Sequence, residues 1–222
     1  MSRSSDAHSL DFIHDQLSGR IVFGAGRRRD TPAEILALSP TGVLIIGGAH
    51  DTNTITELAS ALDVPTESIV GARPHVPSET VREALAVVDR FEPNVVVTVG
   101  GGSATGLGKM IARERDVAIV SVPTTYAGSE MTPIWGTTVD GVKQTGRSLR
   151  VLPSIVIYDP ELTVELPLAV TVNSAFNALA HCVESLWLNN TSPIVAEASV
   201  SAIGSIISGV ENVVLRLDDI DA

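Results

Sequence analysis

The sequence predicts an α/β fold, in which a doubly wound parallel sheet is followed by the start of an all-helical domain. Short, uniformly apolar segments alternate with amphipathic segments up to about residue 160, which is typical of a parallel sheet covered on both faces. A glycine-rich turn, Gly100–Gly102, joins one apolar segment to one amphipathic segment. After Pro167 the pattern is helical throughout. The predicted domains are therefore residues 1–160 and residues 161–222.

The first predicted elements precede the glycine-rich turn. The stretch that begins Thr31-Pro32 opens a short helix, because proline is favoured in the first helical turn. Gly42–Ile46 is predicted as a buried strand. Thr54–Leu62 is predicted as the next helix, with Thr54 and Glu57 at the spacing of a capping box.

The remainder of the first predicted domain continues the alternation of strand and helix. The predicted elements are, in order, strand Ile69–Val70, helix Ser78–Phe91, strand Val95–Val99, helix Ala104–Arg113 and strand Val117–Val122. Because parallel sheets bind ligands at the carboxyl ends of their strands, the turn after Val99 is expected at the ligand-binding edge.

The pattern changes from about Thr132. Thr137–Val139 and Val142–Lys143 flank Asp140-Gly141, which is the signal of a tight β-hairpin. Ser154–Tyr158 is predicted as one more strand. Two long helices follow, Leu168–Leu188 and Pro193–Leu217. Because two helices alone bury little surface, we expect this second domain to be incomplete.

Composition and charge exclude several classes of protein. With 44% hydrophobic and 18% charged residues among 222, the chain is globular and long enough to bury a core. The net charge of −11 argues against a nucleic acid or an anionic membrane as a partner. The single cysteine, Cys182, excludes an internal disulfide and suits the cytoplasm. Residues up to about Ser9 are expected to form a loose tail, and no apolar run reaches the ~18 residues of a membrane span.

The segment "VVVTVGGGSATGLGK", Val95–Lys109, has three possible interpretations. A flexible linker fits poorly, because apolar residues flank the glycines on both sides. A strand, glycine-rich turn and helix fit better, and this arrangement directs backbone N–H groups of a helix N-terminus towards an anion. A purely structural turn between strand and helix remains the alternative.

The loop "VPTTYAGSE", Val122–Glu130, is rich in hydroxyl groups and backbone donors at the same edge of the sheet. It is either part of a ligand site or an ordinary polar loop.

The helix "NSAFNALAHCVESLW", Asn173–Trp187, places Asn177, His181 and Glu184 on one face, next to an apolar face expected to point to the core. The apolar face consists of Phe176, Leu179, Val183 and Leu186. Asn177 and His181 either contact a metal or polar substrate, or are structural hydrogen-bonding residues.

Taken together, four motifs resemble the iron-containing alcohol dehydrogenase superfamily, and most closely its maleylacetate reductase branch. They are "GGGSATGLGK", "VPTTYAGSEMTPIWG", "VLPSIVIYDPELTVELP" and "NALAHCVESLW", in this order. The resemblance begins at about Ile21, where "RIVFGAG" is similar to the family's first strand. It implies that residues 1–160 form a Rossmann-like dinucleotide-binding domain and that residues 161–222 begin a helical substrate and catalytic domain.

The resemblance implies a nicotinamide cofactor, NADH or NADPH. Carried over by position, the cofactor-binding residues are Gly101, Gly102, Ser103, Thr124, Thr125 and Lys143. The two glycines and the serine would hold the pyrophosphate, the threonines would line the cofactor, and the lysine would reach the ribose or phosphate region. Gly47 and Gly48 stand where the first strand often ends in a ribose-binding acid, so the choice between the two cofactors stays open.

The resemblance further implies reduction of maleylacetate to 3-oxoadipate, in the degradation of aromatic compounds. Hydride transfer to an alkene carbon conjugated with a carbonyl requires stabilisation of an enolate and binding of two carboxylates. The candidate catalytic residues are Tyr126, Ser129 and His181, and the candidate substrate contacts are Asn177 and His181. A homodimer in the cytoplasm, with a small dicarboxylate substrate, is expected.

Departures from the wider family bear on the metal. Metal-dependent members have Asp at the positions of Asn177 and Gly106, whereas the maleylacetate reductase branch has the residues found here. Loss of the carboxylate at Asn177 removes a hard anionic ligand, so no metal is expected.

The largest departure is length. Family members continue beyond this chain, and their later helices bring further histidines to the cleft. The resemblance therefore predicts a C-terminally truncated chain, and the activity of this chain by itself stays open. The alternatives to a maleylacetate reductase are an iron-type alcohol or glycerol dehydrogenase and a non-catalytic dinucleotide-binding fragment.

Overall fold

The computed structural model describes residues 12–216, so the predicted tail up to Ser9 lies outside the described residues. The strands are β1 Arg20–Phe23, β2 Val43–Gly47, β3 Thr66–Val70, β4 Val95–Gly100, β5 Ala118–Pro123, β6 Ile134–Val139, β7 Val142–Arg147 and β8 Ile155–Tyr158. The helices are α1 Thr31–Leu36, α2 Thr52–Ser60, α3 Ser78–Phe91, α4 Gly102–Glu114, α5 Leu168–Trp187 and α6 Pro193–Leu215. Six strands form one parallel sheet in the order β1-β8-β5-β4-β2-β3, which confirms the predicted fold class.

Helices cover both faces of this sheet, which explains why its central strands are apolar throughout. β2 and β4 are buried along their whole length. On one face, Ile35 of α1 and Leu58 of α2 pack in a cluster with Val97 of β4. On the other face, Leu107 of α4 packs in a second cluster with Val96 of β4. Burial of alternate residues on opposite faces requires an apolar side chain at nearly every strand position.

At the carboxyl ends of the strands, the chain turns to opposite faces of the sheet after β2 and after β4, where the crevice of an open α/β sheet is expected. These two strands are neighbours, but α2 follows β2 on one face and α4 follows β4 on the other. The loops after the two strands therefore diverge, and open α/β sheets bind ligands where loops diverge in this way. Gly100–Gly102 lies on one side of the crevice and Gly48–Asp51 on the other.

The start of α2 differs from the prediction. The helix begins at Thr52 with Asp51 as its N-cap, so the capping box predicted for Thr54 and Glu57 is wrong. Asp51 already closes a tight turn by accepting a hydrogen bond from the Gly48 N–H at 3.2 Å. This turn leads directly into the helix and starts it two residues earlier than the predicted capping residue.

The antiparallel hairpin of β6 and β7 is confirmed and is longer than predicted. Its turn residues Asp140 and Gly141 have φ values of 49° and 76°. Two successive residues with positive φ are characteristic of the type I′ turn, whose twist matches that of the flanking strands. The hairpin is attached to the sheet domain through Thr137 and Thr138, whose hydroxyls donate to the carbonyls of Val76 and His75.

The two C-terminal helices, α5 and α6, pack against each other but bury very little. No described residue of α5 is buried, and Ser199 is the one buried residue described in α6. Phe176, predicted to face a core, is 57% exposed. The prediction of a core-facing side is therefore wrong for Phe176 and Leu186, because among residues 12–216 no element buries these side chains.

Helix α6 bears on the expectation about membrane spans. α6 is long and apolar enough to cross a membrane by length and composition, although it contains interspersed polar residues. Core helices of soluble proteins meet the same criterion, so this finding is weak evidence for a membrane. The two criteria differ, because the expectation concerned a continuous apolar run, whereas mean hydropathy tolerates isolated serines and glutamates.

The exposed helical pair leads to a prediction about proteolysis. Apolar patches above a few hundred Å² are unusual on soluble monomers, and side chains such as Trp187, at 78% exposure, lie on this pair. We expect limited proteolysis to cut first after residue 160 and to leave a resistant N-terminal core, or we expect self-association through α5 and α6. Uniform resistance of the whole chain in a demonstrated monomer would contradict this prediction.

Candidate functional site

A cavity of about 370 Å³ lies beside the glycine-rich turn. The first turns of α4 contribute Gly102, Ser103 and Lys109 to its lining. Ser129 comes from the loop after β5, and Lys143 comes from the hairpin. The structure thus assembles one cavity from segments that are far apart in the sequence.

The N-terminus of α4 opens into this cavity without a side-chain cap. The N-cap residue is Gly101, and it makes no side-chain hydrogen bond to the first turn. The first N–H groups of an α-helix have no partner within the helix, and they carry the positive end of its dipole. The open end of this 13-residue helix can therefore bind an anionic group such as a phosphate.

The glycines of the turn have different physical requirements. Gly100 has a φ of 138°, which favours glycine, and a Cβ on Gly101 would lie 2.7 Å from Oγ1 of Thr125. At Gly102 the nearest atom to a Cβ would be the Cβ of Ala127, at 3.6 Å. Backbone conformation thus explains Gly100 and packing explains Gly101, whereas a Cβ at Gly102 would make only ordinary van der Waals contact. The structural-turn interpretation therefore applies to Gly100 and Gly101, and the anion site at Gly102 stays a prediction.

Asp51 is a polar residue of the crevice that sequence reasoning did not identify as part of the site. An oxygen of its carboxylate lies 2.9 Å and 3.0 Å from the positions that a Cβ would occupy on Gly48 and Gly100. Burial raises the pKa of Asp51, while hydrogen bonds from the Thr124 hydroxyl and the Gly48 N–H oppose that rise. Its position four residues after the end of the buried strand, in "GGAHD", is the signal that would have identified it.

Two buried charged residues underlie the loop after β5. Lys109 is fully buried, and its Nζ donates to the carbonyls of Ser129, Thr132 and Ile134. Glu130 is 3% exposed and accepts a hydrogen bond of 2.9 Å from the Tyr158 hydroxyl. Sequence reasoning missed both, although a lysine between apolar residues of a helix is a recognisable signal.

These contacts also shift pKa values. Burial lowers the pKa of Lys109 to about 8, against the opposing effect of the negative charge of Glu130. Burial raises the pKa of Tyr158, and the neighbouring carboxylate of Glu130 adds to that rise. The Tyr158 hydroxyl is therefore a hydrogen-bond donor at neutral pH.

The loop before α3 forms another wall of the cavity. His75 and Val76 both line the cavity and have positive φ values, 63° and 48°. Val76 also explains Gly106, because a Cβ at position 106 would lie 2.7 Å from Cγ2 of Val76. An aspartate at position 106, as in metal-dependent family members, would therefore collide with Val76 unless that side chain shifted.

The predicted catalytic residues lie in different places. Ser129 lines the cavity. Tyr126 is 46% exposed, and its hydroxyl donates to Oγ1 of Thr163 at 3.1 Å. Asn177 and His181 lie on the exposed face of α5, as the helical spacing predicted, and His181 Nδ1 is 3.6 Å from a carboxylate oxygen of Glu184. Neither of these two α5 residues is part of the cavity lining, and their roles stay predictions.

The described residues do not fit a metal centre. Among residues 12–216, no group of three or more His, Cys, Asp or Glu side chains is arranged to hold a metal ion. Three or four ligands are usual for zinc, and non-haem iron is similar. We therefore derive no chemical step through a metal, and the expectation of no metal stays a prediction.

Comparison with known proteins places these features in context. The family model "Iron-containing alcohol dehydrogenase" matches residues 18–160. The chain is 45% identical over 204 residues to a maleylacetate reductase of Burkholderia cepacia, covering 89% of this chain and 57% of the relative. It is 38% identical to maleylacetate reductase 1 of Cupriavidus pinatubonensis, covering 95% of this chain and 60% of that relative.

A solved structure agrees with these relatives. The crystal structure of a maleylacetate reductase from Agrobacterium tumefaciens superimposes with a TM-score of 0.91 at 38% identity, covering 95% of this chain and 60% of that chain. The chain therefore spans about three fifths of the length of the relatives that it matches.

Proposed function

Because the chain belongs to the iron-containing alcohol dehydrogenase family, we propose that it provides the cofactor-binding part of an NAD(P)H-dependent maleylacetate reductase. The observation that carries this proposal is the open N-terminus of α4, which shares one cavity with Ser103 and Lys143. The identity of 45% to a relative named maleylacetate reductase supports this reaction over alcohol oxidation.

The residues of the cavity suit a dinucleotide pyrophosphate. The N–H groups at the start of α4 would donate to phosphate oxygens, and the Ser103 hydroxyl would add a further donor. The Lys143 ammonium would balance the negative charge from the hairpin side. A bound nicotinamide supplies the hydride for reduction of a carbon–carbon double bond conjugated with a carbonyl. Gly48–Asp51, across the crevice, would face the adenosine side.

The chemistry of the substrate sets a second requirement. Maleylacetate carries two carboxylates, and its reduction develops negative charge on an enolate oxygen. We propose that Ser129, in the cavity wall, donates a hydrogen bond to the substrate or cofactor, and that Tyr126 and His181 remain candidates for proton transfer. Asn177 and His181 would contact the substrate from α5. A cytoplasmic homodimer without nucleic acid or membrane partners completes the proposal.

Cofactor titration followed by turnover tests this proposal. We expect the chain to quench or shift NADH or NADPH fluorescence with a measurable Kd, and Lys143→Met to weaken that binding. Oxidation of the cofactor on addition of maleylacetate would establish the reductase. Absence of dinucleotide binding by the folded chain would refute the proposal.

A second candidate function has its own structural support. The α5 candidates Asn177 and His181 are exposed and lie outside the cavity, which supports a protein that binds a dinucleotide without catalysing a reaction. Dinucleotide binding without turnover would favour a binding fragment. Oxidation of an alcohol or glycerol with NAD(P)⁺, instead of reduction of maleylacetate, would favour the dehydrogenase alternative.

The possible metal ligands on α5, Asn177 and His181, lead to a prediction about metals. His181 is the single good nitrogen ligand on its face of α5, because Asn177 provides a neutral amide. We expect elemental analysis of the purified chain to show no stoichiometric iron or zinc, and a chelator to leave its NADH affinity unchanged. One tightly held metal ion per chain would contradict this and would support the alcohol dehydrogenase alternative.

A further inference from the structure

The two lysines of this sequence, Lys109 and Lys143, both line the cofactor cavity. Their environments are opposite. Lys143 is exposed on the hairpin and can contact a ligand directly, whereas Lys109 is fully buried beneath the loop after β5. The proposed function gives Lys143 a role as a contact to the cofactor. It gives no role to the buried ammonium of Lys109.

The contacts of Lys109 are made with one short segment. Its Nζ donates to the carbonyl oxygens of Thr132 at 2.7 Å and Ile134 at 2.8 Å, and also to that of Ser129. An ammonium has three N–H donors, so three carbonyls satisfy it. A loop that turns three carbonyls inward around one positive charge has the arrangement of a loop folded around a bound cation.

This segment packs on α4 and contributes to the cavity wall. Ser129 and Ile134 line the cavity, and Ile134 begins the hairpin that carries Lys143. Without a cation at their centre, the three carbonyls would repel one another, and those of Thr132 and Ile134 would lose their buried ammonium donor, which is costly. The Ser129 carbonyl would keep the Thr132 N–H, at 3.2 Å. The loop would then turn its carbonyls towards water and move Ser129 and the hairpin with them.

From these contacts we infer that Lys109 is a positioning residue, an internal cation around which residues Ser129–Ile134 fold to form one wall of the cofactor cavity. The assignment of the cavity to a dinucleotide rests on the proposed function, whereas the ordering of the loop does not. The two parts are therefore testable by separate measurements.

Trp135 provides a local probe of the loop. It follows Ile134 in the hairpin, and the Arg113 guanidinium lies 3.9 Å from its ring centroid. The other tryptophan, Trp187, is exposed on α5, so Trp187→Phe leaves Trp135 as the single reporter. Emission of Trp135 without any cofactor reports the position of the hairpin, and NADH titration reports the cavity.

The test compares three variants in the Trp187→Phe background. Lys109→Met keeps most of the side-chain length without the charge, and we expect a red shift of Trp135 emission and about tenfold weaker NADH binding, with the circular dichroism of the sheet retained. Lys143→Met is the matched control, because it removes the other cavity lysine. We expect it to weaken NADH binding while Trp135 emission stays unchanged.

Chemical rescue separates an ordering cation from a side chain that only fills space. In Lys109→Ala, methylammonium chloride should restore Trp135 emission and NADH affinity, whereas sodium chloride at the same ionic strength should not. The inference is wrong if Lys109→Met leaves both readouts unchanged, if methylammonium fails to restore them, or if both Lys109 variants lose the whole sheet. If the parent chain does not bind NADH, the proposed function fails, and the emission measurements still decide the role of Lys109.

Discussion

Replacement of Gly102 by aspartate is expected to weaken NADH binding by at least about 100-fold while leaving the fold intact. The new Cβ would have Ala127 as its nearest neighbour, at 3.6 Å, so the folded chain has room for it. A carboxylate in the first turn of a helix is favourable for the helix itself, because it opposes the dipole. The same carboxylate would occupy the anion site and repel a pyrophosphate, so the substitution separates binding from stability.

The measurement is fluorescence titration with NADH, together with the melting temperature of the same sample. Gly102→Asn is the matched control, since it adds nearly the same volume without charge, and we expect it to lose less affinity than the aspartate. A larger residue at Gly101 is a poorer test, because its Cβ would displace Thr125. Equal NADH affinity in Gly102→Asp and the parent would show that α4 does not bind the cofactor.

Replacement of Asp159 by alanine is expected to lower the free energy of unfolding by about 3–5 kcal/mol, as for other buried charged groups that lose a partner. Asp159 is 2% exposed at the end of β8. Its carboxylate accepts hydrogen bonds from the backbone N–H groups of Gly26, Arg28 and Glu161, at 2.9 Å, 3.0 Å and 3.0 Å. The Arg28 guanidinium adds an ion pair at 2.9 Å. Alanine would remove this acceptor from the three backbone N–H groups, whereas the Arg28 guanidinium would keep its ion pair with Glu161.

The pH dependence of stability provides an independent check of the same group. Burial acts to raise the pKa of Asp159, but the hydrogen bonds from Arg28, Gly26 and Glu161 outweigh it and hold the pKa below its ordinary value. Because the pKa is lower in the folded state, the stabilisation is fully present above about pH 4 and is lost as the pH falls through the folded value.

Urea denaturation between neutral and acidic pH measures both effects. Asp159→Asn keeps the volume and removes the titration, so its stability should fall less steeply with acid than that of the parent. Glu161→Gln tests the exposed partner of Arg28, and we expect a loss below about 1 kcal/mol, as for surface ion pairs. Parallel pH profiles for the parent and Asp159→Asn would refute the role assigned to this carboxylate.

The sequence by itself determined most elements of the sheet domain and the position of the glycine-rich turn Gly100–Gly102. Apolar periodicity located β4 and α3 closely, because these elements bury a regular set of side chains. The Asp140-Gly141 turn was recognisable because few residue pairs tolerate two positive φ values. The start of α2 was harder to predict from the sequence, because its N-cap Asp51 is defined by a turn with Gly48.

The tertiary structure alone decided which residues form the cavity and what holds its walls. Lys109 lies 20 residues before its partner Ser129 in the chain, and the segment with His75 reaches the same cavity from the other side. No local pattern specifies these contacts, because they depend on how α4, the loop after β5 and the hairpin pack on one another. The same reason separates Ser129, which lies in the cavity, from His181, which helical spacing placed on a polar face that remains exposed. Periodicity determines the face on which a side chain lies, whereas only long-range packing determines what that face meets.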